Sequence, residues 1–225
     1  AMESGVAGRP ILNLDKYAQE LSARRDPIAS TLQRIYDRVR RQPKRVVFAE
    51  GEEEQVMRAA VSFVNQKLGT AILVGREELI RHNAAEAGLN FDELGIQIMN
   101  ARVSDRNAEY VDWLYARLQR RGYLRRDVQR MINQDRNYFA AAMVARGEAD
   151  CMVTGVTRNF NMALKEVRRV LDVTDRMIGL SILLAKGRTL FVADTSIHEL
   201  PNAEELAEIA IKAADTVRKL GRQPR

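Results

Sequence analysis

The run Gly147-Glu-Ala-Asp-Cys-Met-Val-Thr-Gly-Val-Thr-Arg158 joins a helix end, a short apolar strand and a turn rich in hydroxyl and basic groups. Gly147 can close a helix in the left-handed conformation, which glycine adopts most readily. The triplet Cys151-Met-Val153 is typical of a central strand, so it predicts a buried one. The turn then leaves that strand at its carboxyl end, where open α/β sheets bind ligands. A plain structural crossover would give the same pattern.

Apolar segments alternate with helical patterns through the rest of the chain. Strands are predicted at Arg45–Ala49, Thr70–Val74, Ile96–Met99, Ile178–Ala185 and Thr189–Ala193. Helices are predicted at Glu77–Ala87, Asn107–Arg121, Arg125–Asn133, Arg136–Arg146, Asn161–Leu171 and Asn202–Leu220, with Asn202 and Glu205 as a reciprocal cap of the last. This alternation predicts an α/β domain of three layers, in which a mostly parallel sheet has helices on both faces.

Length and composition fit one large globular domain, or a domain with a partial second lobe. The chain has 225 residues, of which 46% are hydrophobic and 29% charged, so it can bury a core. No apolar run approaches the roughly 20 residues that a membrane helix needs. The N-terminus also lacks a signal-peptide core. We therefore expect a cytoplasmic protein without membrane contact.

Cysteine and histidine offer little chemistry in this chain. Cys151 is the only cysteine, which excludes an internal disulfide and fits a reducing compartment. Because free cysteines are usually buried, we expect a structural thiol rather than a nucleophile. His82 and His198 lie far apart in the sequence, which therefore predicts no metal site.

The net charge of +6 comes mostly from arginine, with clusters at positions 38–41, 117–126 and 168–169. Glu and Asp residues are interleaved with them, which favours solvated helix faces for most of these arginines. We expect no nucleic-acid partner, because no nucleic-acid motif or arginine-aromatic stripe accompanies the charge. The planar fork of arginine suits phosphate, so a phosphate-rich small molecule would use a few of these groups.

The order of segments from Gly122 to Gly147, followed by the Cys151 strand, resembles the phosphate acetyl/butyryltransferase family. Ser4-Gly-Val-Ala-Gly-Arg-Pro-Ile11 resembles the junction that precedes the C-terminal phosphotransacetylase-like domain of bacterial hybrid NADP-dependent malic enzymes. The resemblance covers nearly the whole chain. It implies a connector from an upstream malic-enzyme part at residues 1–26. Residues 27–225 would then be a phosphotransacetylase-like domain, truncated where the family continues into another strand.

The resemblance implies a two-lobed, phosphate acetyltransferase-like fold with acetyl-CoA or coenzyme A bound in a cleft. It makes Thr154, Gly155, Thr157 and Arg158 candidate ligand contacts in the turn after the Cys151 strand. Lys165 is a fifth candidate, because it matches a family arginine on the following helix. A structural role remains open for each of the five residues.

This chain departs from the transferase pattern at basic positions. Leu118 stands where transferases commonly have the arginine of a Leu-Arg-Lys segment. This chain has Arg158-Asn-Phe160 where transferases commonly have a histidine together with several hydroxyl residues. Lys165 replaces an arginine, and lysine is not equivalent where two parallel hydrogen bonds are required. We therefore predict no catalytic residue in this chain.

The resemblance implies an acetyl-CoA-sensing regulatory and oligomerisation domain of an NADP-dependent malic enzyme that forms a homo-oligomer. The parent reaction would be oxidative decarboxylation of malate to pyruvate, with NADP and a divalent metal only in the upstream part. The alternative is an active phosphate acetyltransferase that makes acetyl-CoA from acetyl phosphate and CoA. A malic-enzyme sequence before Glu3 would separate the two functions.

Overall fold

The computed structural model describes residues 17–18, 21, 27–172, 176–185 and 188–224. The connector predicted at residues 1–26 therefore lies almost entirely outside the described residues. The chain divides into two compact units, one of residues 39–174 and one that combines residues 1–38 with residues 175–225. The helices and strands are α1 (Pro27–Arg41), β1 (Lys44–Phe48), α2 (Glu54–Asn65), β2 (Gly69–Val74), α3 (Glu77–Glu86), β3 (Gln97–Met99), α4 (Asn107–Leu118), α5 (Arg125–Gln134), α6 (Arg136–Ala145), β4 (Cys151–Val153), α7 (Phe160–Val170), β5 (Leu180–Ala185), β6 (Arg188–Ala193) and α8 (Ala203–Lys219).

The four strands of the unit at residues 39–174 form one parallel sheet in the order β3-β2-β1-β4. Val47 of β1 pairs with Ile72 of β2 on one side and with Met152 of β4 on the other. On the far side of β2, Leu73 pairs with Ile98 of β3. All four strands therefore end at the same edge of the sheet.

Strand side chains alternate between two buried cores, one on each face of the sheet. On one face, Val47 belongs to a cluster with residues of α4 and α6. In this cluster the Tyr110 and Phe139 rings pack edge to face, with their centroids 5.4 Å apart. On the other face, Phe48 packs in a cluster with Met57 and other residues of α2 and α3. A parallel sheet must be covered on both sides in this way. The predicted three-layer α/β fold is thus confirmed.

In the other unit, the two predicted strands are present as β5 and β6, which form an antiparallel hairpin with Leu180 opposite Ala193. Residues 186–187, between the two strands, lie outside the described residues. Helix α8 begins with the predicted reciprocal cap. The Asn202 Oδ1 atom accepts from the Glu205 amide, and the Glu205 carboxylate accepts from the Asn202 amide, both at 2.9 Å. None of the described helices is long and apolar enough to cross a bilayer.

Two predictions about the Cys151 strand are wrong. In the described part of the chain β4 lies at an edge of the sheet rather than in its centre. Cys151 is exposed rather than buried, and the Val153 side chain on the same strand is also half exposed. Although the residue as a whole is exposed, neighbouring atoms partly desolvate its thiol, and this desolvation, with the nearby Asp150 charge as a second cause, raises the pKa of the Cys151 thiol. The thiol is therefore protonated at neutral pH, which does not suit a nucleophile.

Candidate functional site

The carboxyl ends of β1 and β4 lie side by side, which brings together two segments that are distant in the sequence. Glu50 follows β1, and the turn from Thr154 to Arg158 follows β4. Asp135 and Asn137, at the start of α6, reach the same turn through hydrogen bonds. The predicted ligand contacts of the turn thus lie among acidic and amide side chains.

The Glu50 carboxylate occupies the turn after β4. Its Oε2 atom accepts hydrogen bonds from the amides of Gly155 at 2.7 Å and Val156 at 2.8 Å. Its Oε1 atom accepts from the Thr157 amide at 2.7 Å and from the Thr157 hydroxyl. Gly155 has a φ of 121°, a conformation that side chains disfavour, and it lets successive amides converge on one anion. The turn is an anion-binding nest filled by a side chain of the same protein.

Glu50 is only 3% exposed, yet it is ionised at neutral pH. Burial acts to raise the pKa of its carboxyl group. The hydrogen bonds from the Thr157 hydroxyl and from the turn amides outweigh burial and lower the pKa to about 2. An anionic ligand would therefore have to displace a charged carboxylate from the turn, or bind beside it.

Arg158 is held between two carboxylates. Its Nη1 atom donates to Asp135 Oδ2 at 2.6 Å and to Glu166 Oε1. The Glu166 side chain is 9% exposed and also accepts from Asn137 Nδ2 at 2.7 Å. The hydrogen bond to Glu166 raises the pKa of Arg158, burial opposes it, and Asp135 raises it further. The guanidinium is thus a counter-ion for acidic groups of its own chain.

Thr154 joins this cluster, because its hydroxyl donates to Asn137 Oδ1 at 2.6 Å. Lys165 is exposed on α7. The structure therefore brings together four of the five predicted ligand contacts and leaves Lys165 at the surface. Ligand binding by all five residues stays a prediction.

A cavity of about 650 Å³ adjoins the cluster at Asp135. Tyr123, Arg130 and Tyr138 also line it. The Arg169 guanidinium lies 5.6 Å from the centre of the Tyr123 ring, and its Nη1 atom donates to the Tyr138 hydroxyl. Pockets of about 300 to 1,000 Å³ hold drug-sized ligands, so this cavity can hold a large part of a cofactor. No local sequence motif marks these lining residues, so the sequence alone does not predict them.

Leu118 is 1% exposed and belongs to the hydrophobic core. A transferase arginine is expected at this position from the family pattern. A charged side chain there would have to leave the core or be buried without compensation. Leucine at this position therefore suits the packing of the core, which the expected arginine would disrupt.

The helix-covered parallel sheet, with an anion-binding turn at its carboxyl edge, defines an α/β domain of the ligand-binding class. A phosphotransacetylase from Streptococcus pyogenes has the same fold, with a TM-score of 0.78 and 25% sequence identity. The match covers 88% of this chain and 60% of that one. The profile of the phosphate acetyl/butaryl transferase family matches residues 30–225. The chain belongs to this family.

Curated relatives include malic enzymes as well as transferases. The NADP-dependent malic enzyme of Rhizobium meliloti (strain 1021) is 61% identical over 227 residues, which cover 100% of this chain. The phosphate acetyltransferase of Nitratidesulfovibrio vulgaris (strain Hildenborough) is 32% identical over 197 residues, 85% of this chain and 27% of its own length. The chain spans only 30% of the length of the Rhizobium enzyme. These similarities confirm the resemblance to the phosphotransacetylase-like domain of a hybrid malic enzyme.

Proposed function

We propose that this chain is an acetyl-CoA-sensing regulatory and oligomerisation domain of an NADP-dependent malic enzyme. The parent protein would decarboxylate malate oxidatively to pyruvate, with NADP and a divalent metal held outside this chain. Similarity to a malic enzyme along the whole chain supports the parent reaction. Membership of the acetyl/butyryl transferase family supports an acyl-CoA ligand.

The observation that carries the regulatory role is the occupation of the turn after β4 by Glu50. An acyl-transfer site needs preorganised donors aimed at the charge that develops during the reaction. Here three amides and one hydroxyl already bind a carboxylate. Arg158 is likewise committed to Asp135 and Glu166. Donors with internal partners favour a domain that binds and signals over one that transfers acyl groups.

The cavity beside Asp135 is the proposed place for the acyl-CoA. Arg130 would face its phosphates, while the Tyr123 and Tyr138 rings would supply contact surface. Because Asp135 both lines the cavity and binds Arg158, one side chain connects the ligand to the turn after β4. Regulation further requires acetyl-CoA to bind two assembly states with different affinity, since equal binding shifts neither population.

The test is malate-dependent NADPH formation by the full-length enzyme, with and without acetyl-CoA. Removing everything after Asp26 should abolish the response to acetyl-CoA. The Arg130→Gln variant should require about tenfold more acetyl-CoA for a half-maximal change in NADPH formation, because it loses a charge-assisted hydrogen bond. Arg58→Gln is the matched control, since Arg58 is exposed and pairs with Glu54 on α2.

Sedimentation velocity on the same proteins measures the oligomer with and without acetyl-CoA. A coupling of about 1 to 3 kcal/mol would change malate turnover or affinity from several-fold to about a hundredfold. If the intact and shortened enzymes respond equally, the sensing site lies elsewhere and the regulatory role is wrong. If the shortened enzyme keeps the same oligomer, the oligomerisation role is wrong.

A further inference from the structure

A smaller cavity lies at the carboxyl ends of β2 and β3. Its volume is about 250 Å³, and Arg76, Arg102 and Arg136 line it together with Glu52. Arg76 follows β2, Arg102 follows β3, and Arg136 is the first residue of α6. Three separate elements thus each bring an arginine to one cavity. Among the residues that line it, three positive charges face one negative charge.

Glu52 positions Arg76 without neutralising the cavity. Its Oε1 atom accepts from the Arg76 amide at 2.9 Å and from Arg76 Nε at 3.0 Å, while Oε2 accepts from Nη2 at 3.1 Å. The hydrogen bond to Arg76 lowers the pKa of Glu52, and the Arg136 charge adds to this although burial opposes it. A Cβ atom on Gly75 would lie 2.8 Å from Glu52 Cγ, so glycine provides the space for this carboxylate.

Arg136 and Asn133 supply unused hydrogen-bonding capacity beside these charges. Within the described ranges, Arg136 Nη1 and Asn133 Oδ1 are buried and lack hydrogen-bond partners. Both residues line the cavity. Buried polar atoms in native proteins are nearly always paired, so this site suits a group that can accept one hydrogen bond and donate another. Hydrogen phosphate and singly protonated phosphomonoesters do both, whereas sulfate at neutral pH only accepts.

The volume of the cavity restricts the group that it can hold. Pockets for drug-sized ligands span about 300 to 1,000 Å³, and a cavity of about 250 Å³ is smaller than that. A single phosphate group fits this space, and arginine recognises phosphate with paired, charge-assisted hydrogen bonds. The site therefore suits a phosphate group rather than an entire cofactor.

We propose that Arg102, Arg136 and Asn133 form a phosphate-binding site separate from the turn after β4. Arg76 contributes to the positive field while its side chain is held by Glu52. The bound group is either free phosphate or the phosphomonoester of a larger molecule such as coenzyme A. Only the coenzyme A source rests on the proposed function.

Calorimetry with inorganic phosphate on the full-length protein tests this site. Arg102→Gln and Arg136→Gln should each weaken binding about tenfold or more, because each removes a charged donor. Arg102 is exposed, so its replacement leaves the fold intact even if Arg136→Gln does not fold. Arg58→Gln, on the exposed face of α2, should bind as the wild type does.

Two further measurements distinguish a binding role from a structural one. Glu52→Gln should tighten phosphate binding about threefold or more, because it removes the one carboxylate among the described residues that line the cavity. Sulfate should bind more weakly than phosphate, because it has no proton to donate to Asn133 Oδ1. Weaker phosphate binding by Glu52→Gln, or equal binding of the two anions, would contradict the proposed recognition.

The absence of phosphate binding by the wild type, or unchanged binding by both arginine variants, would overturn the proposal. Repeating the titration with coenzyme A present separates the two sources. Competition identifies the phosphomonoester of coenzyme A, and independent binding identifies free phosphate. An enzyme that binds phosphate here but ignores acetyl-CoA would reject the proposed function and retain this site.

Discussion

Glu50 accepts two hydrogen bonds from Thr157, one from the amide at 2.7 Å and one from the hydroxyl, across 107 positions of sequence. The contact joins the segment after β1 to the turn after β4. It therefore connects the ends of two neighbouring strands at the edge of the sheet where the candidate site lies. Both the stability of this unit and the availability of the turn for ligands depend on that carboxylate.

We expect Glu50→Gln to lower the free energy of unfolding at neutral pH. We also expect this free energy to fall less in the variant than in the wild type as the pH is lowered. The pKa of Glu50 is lowered from 4.5 to about 2. Its ionised form therefore stabilises the fold above pH 4.5, and this contribution is lost as the pH falls through 4.5 towards 2. The shift corresponds to roughly 3 kcal/mol. Urea unfolding at pH 7, 4 and 3 measures it, with the exposed Glu54→Gln as control. An equal loss of stability in acid for wild type and Glu50→Gln would contradict this role.

Arg158→Gln should destabilise the fold by about 2 kcal/mol, because Glu166 would keep a buried charge without its counter-ion. The Arg158 side chain is 34% exposed, so solvent should hold the effect below that of a fully buried pair. Adding Glu166→Gln should restore part of the loss. Chemical unfolding of the four proteins in this double-mutant cycle gives the coupling energy. A coupling near zero, combined with weaker acetyl-CoA binding by Arg158→Gln, would favour ligand contact instead.

The full-length protein should not form acetyl-CoA from acetyl phosphate and CoA at a useful rate. Leu118 is buried where a transferase arginine is expected, and the loss of one preorganised donor can reduce a rate by about 10² to 10³. A spectroscopic assay of acetyl-CoA formation decides the point. The phosphate acetyltransferase of Nitratidesulfovibrio vulgaris, assayed in parallel, is a suitable positive control. Comparable turnover by the two proteins would make the transferase the better assignment.

Asp194→Asn should loosen the β5–β6 hairpin. The Asp194 carboxylate is 2% exposed and accepts from the amides of Gly179 at 2.7 Å and His198 at 3.0 Å. It thereby connects the residue before β5 to the turn after β6. We expect hydrogen exchange in both strands to accelerate about tenfold or more, since charge-assisted hydrogen bonds are lost. Exchange mass spectrometry measures this, with the exposed Asp215→Asn as control, and unchanged strand protection would rule out the role.

The interior strands were predictable because their local sequence indicates burial on both faces of the sheet. The run Ala71-Ile-Leu-Val74 is continuously apolar and is bounded by Gly69 and Gly75. A parallel strand that is buried on both faces reads in this way, and β2 accordingly spans Gly69–Val74. Reciprocal capping by Asn202 and Glu205 was also predictable, because both partners lie within one turn of helix.

Cys151 shows what a local pattern could not reveal. An apolar triplet has the same composition at the centre of a sheet and at its edge. The difference depends on which other strands pair with it, and those strands lie far away in the sequence. The hydrophobic pattern therefore predicts a strand correctly, but it mispredicts the burial of Cys151 and the position of the strand among the described strands.

The candidate site was predictable only in part, for the same reason. Hydroxyl and basic groups between Thr154 and Arg158 indicate a ligand-binding turn, but a plain structural crossover has the same local sequence. Nothing near Glu50 signals that its carboxylate fills that turn, since the acidic run there suggests only a helix start. Arg158 was found as a basic group, but its partner Asp135 lies 23 positions away, on another helix boundary.

The β1–β4 pairing has a consequence for synthesis on the ribosome. Arg45, in β1, and Asp150, just before β4, are joined although 105 positions separate them. Translation adds about 5 to 20 residues per second. One edge of β1 therefore stays unpaired for roughly 5 to 20 s, until β4 has been synthesised. During that interval Val46 and Phe48 lie on a strand with an open edge, which other nascent chains can pair with. The speed of translation between these two strands therefore sets how long this edge of β1 stays unpaired.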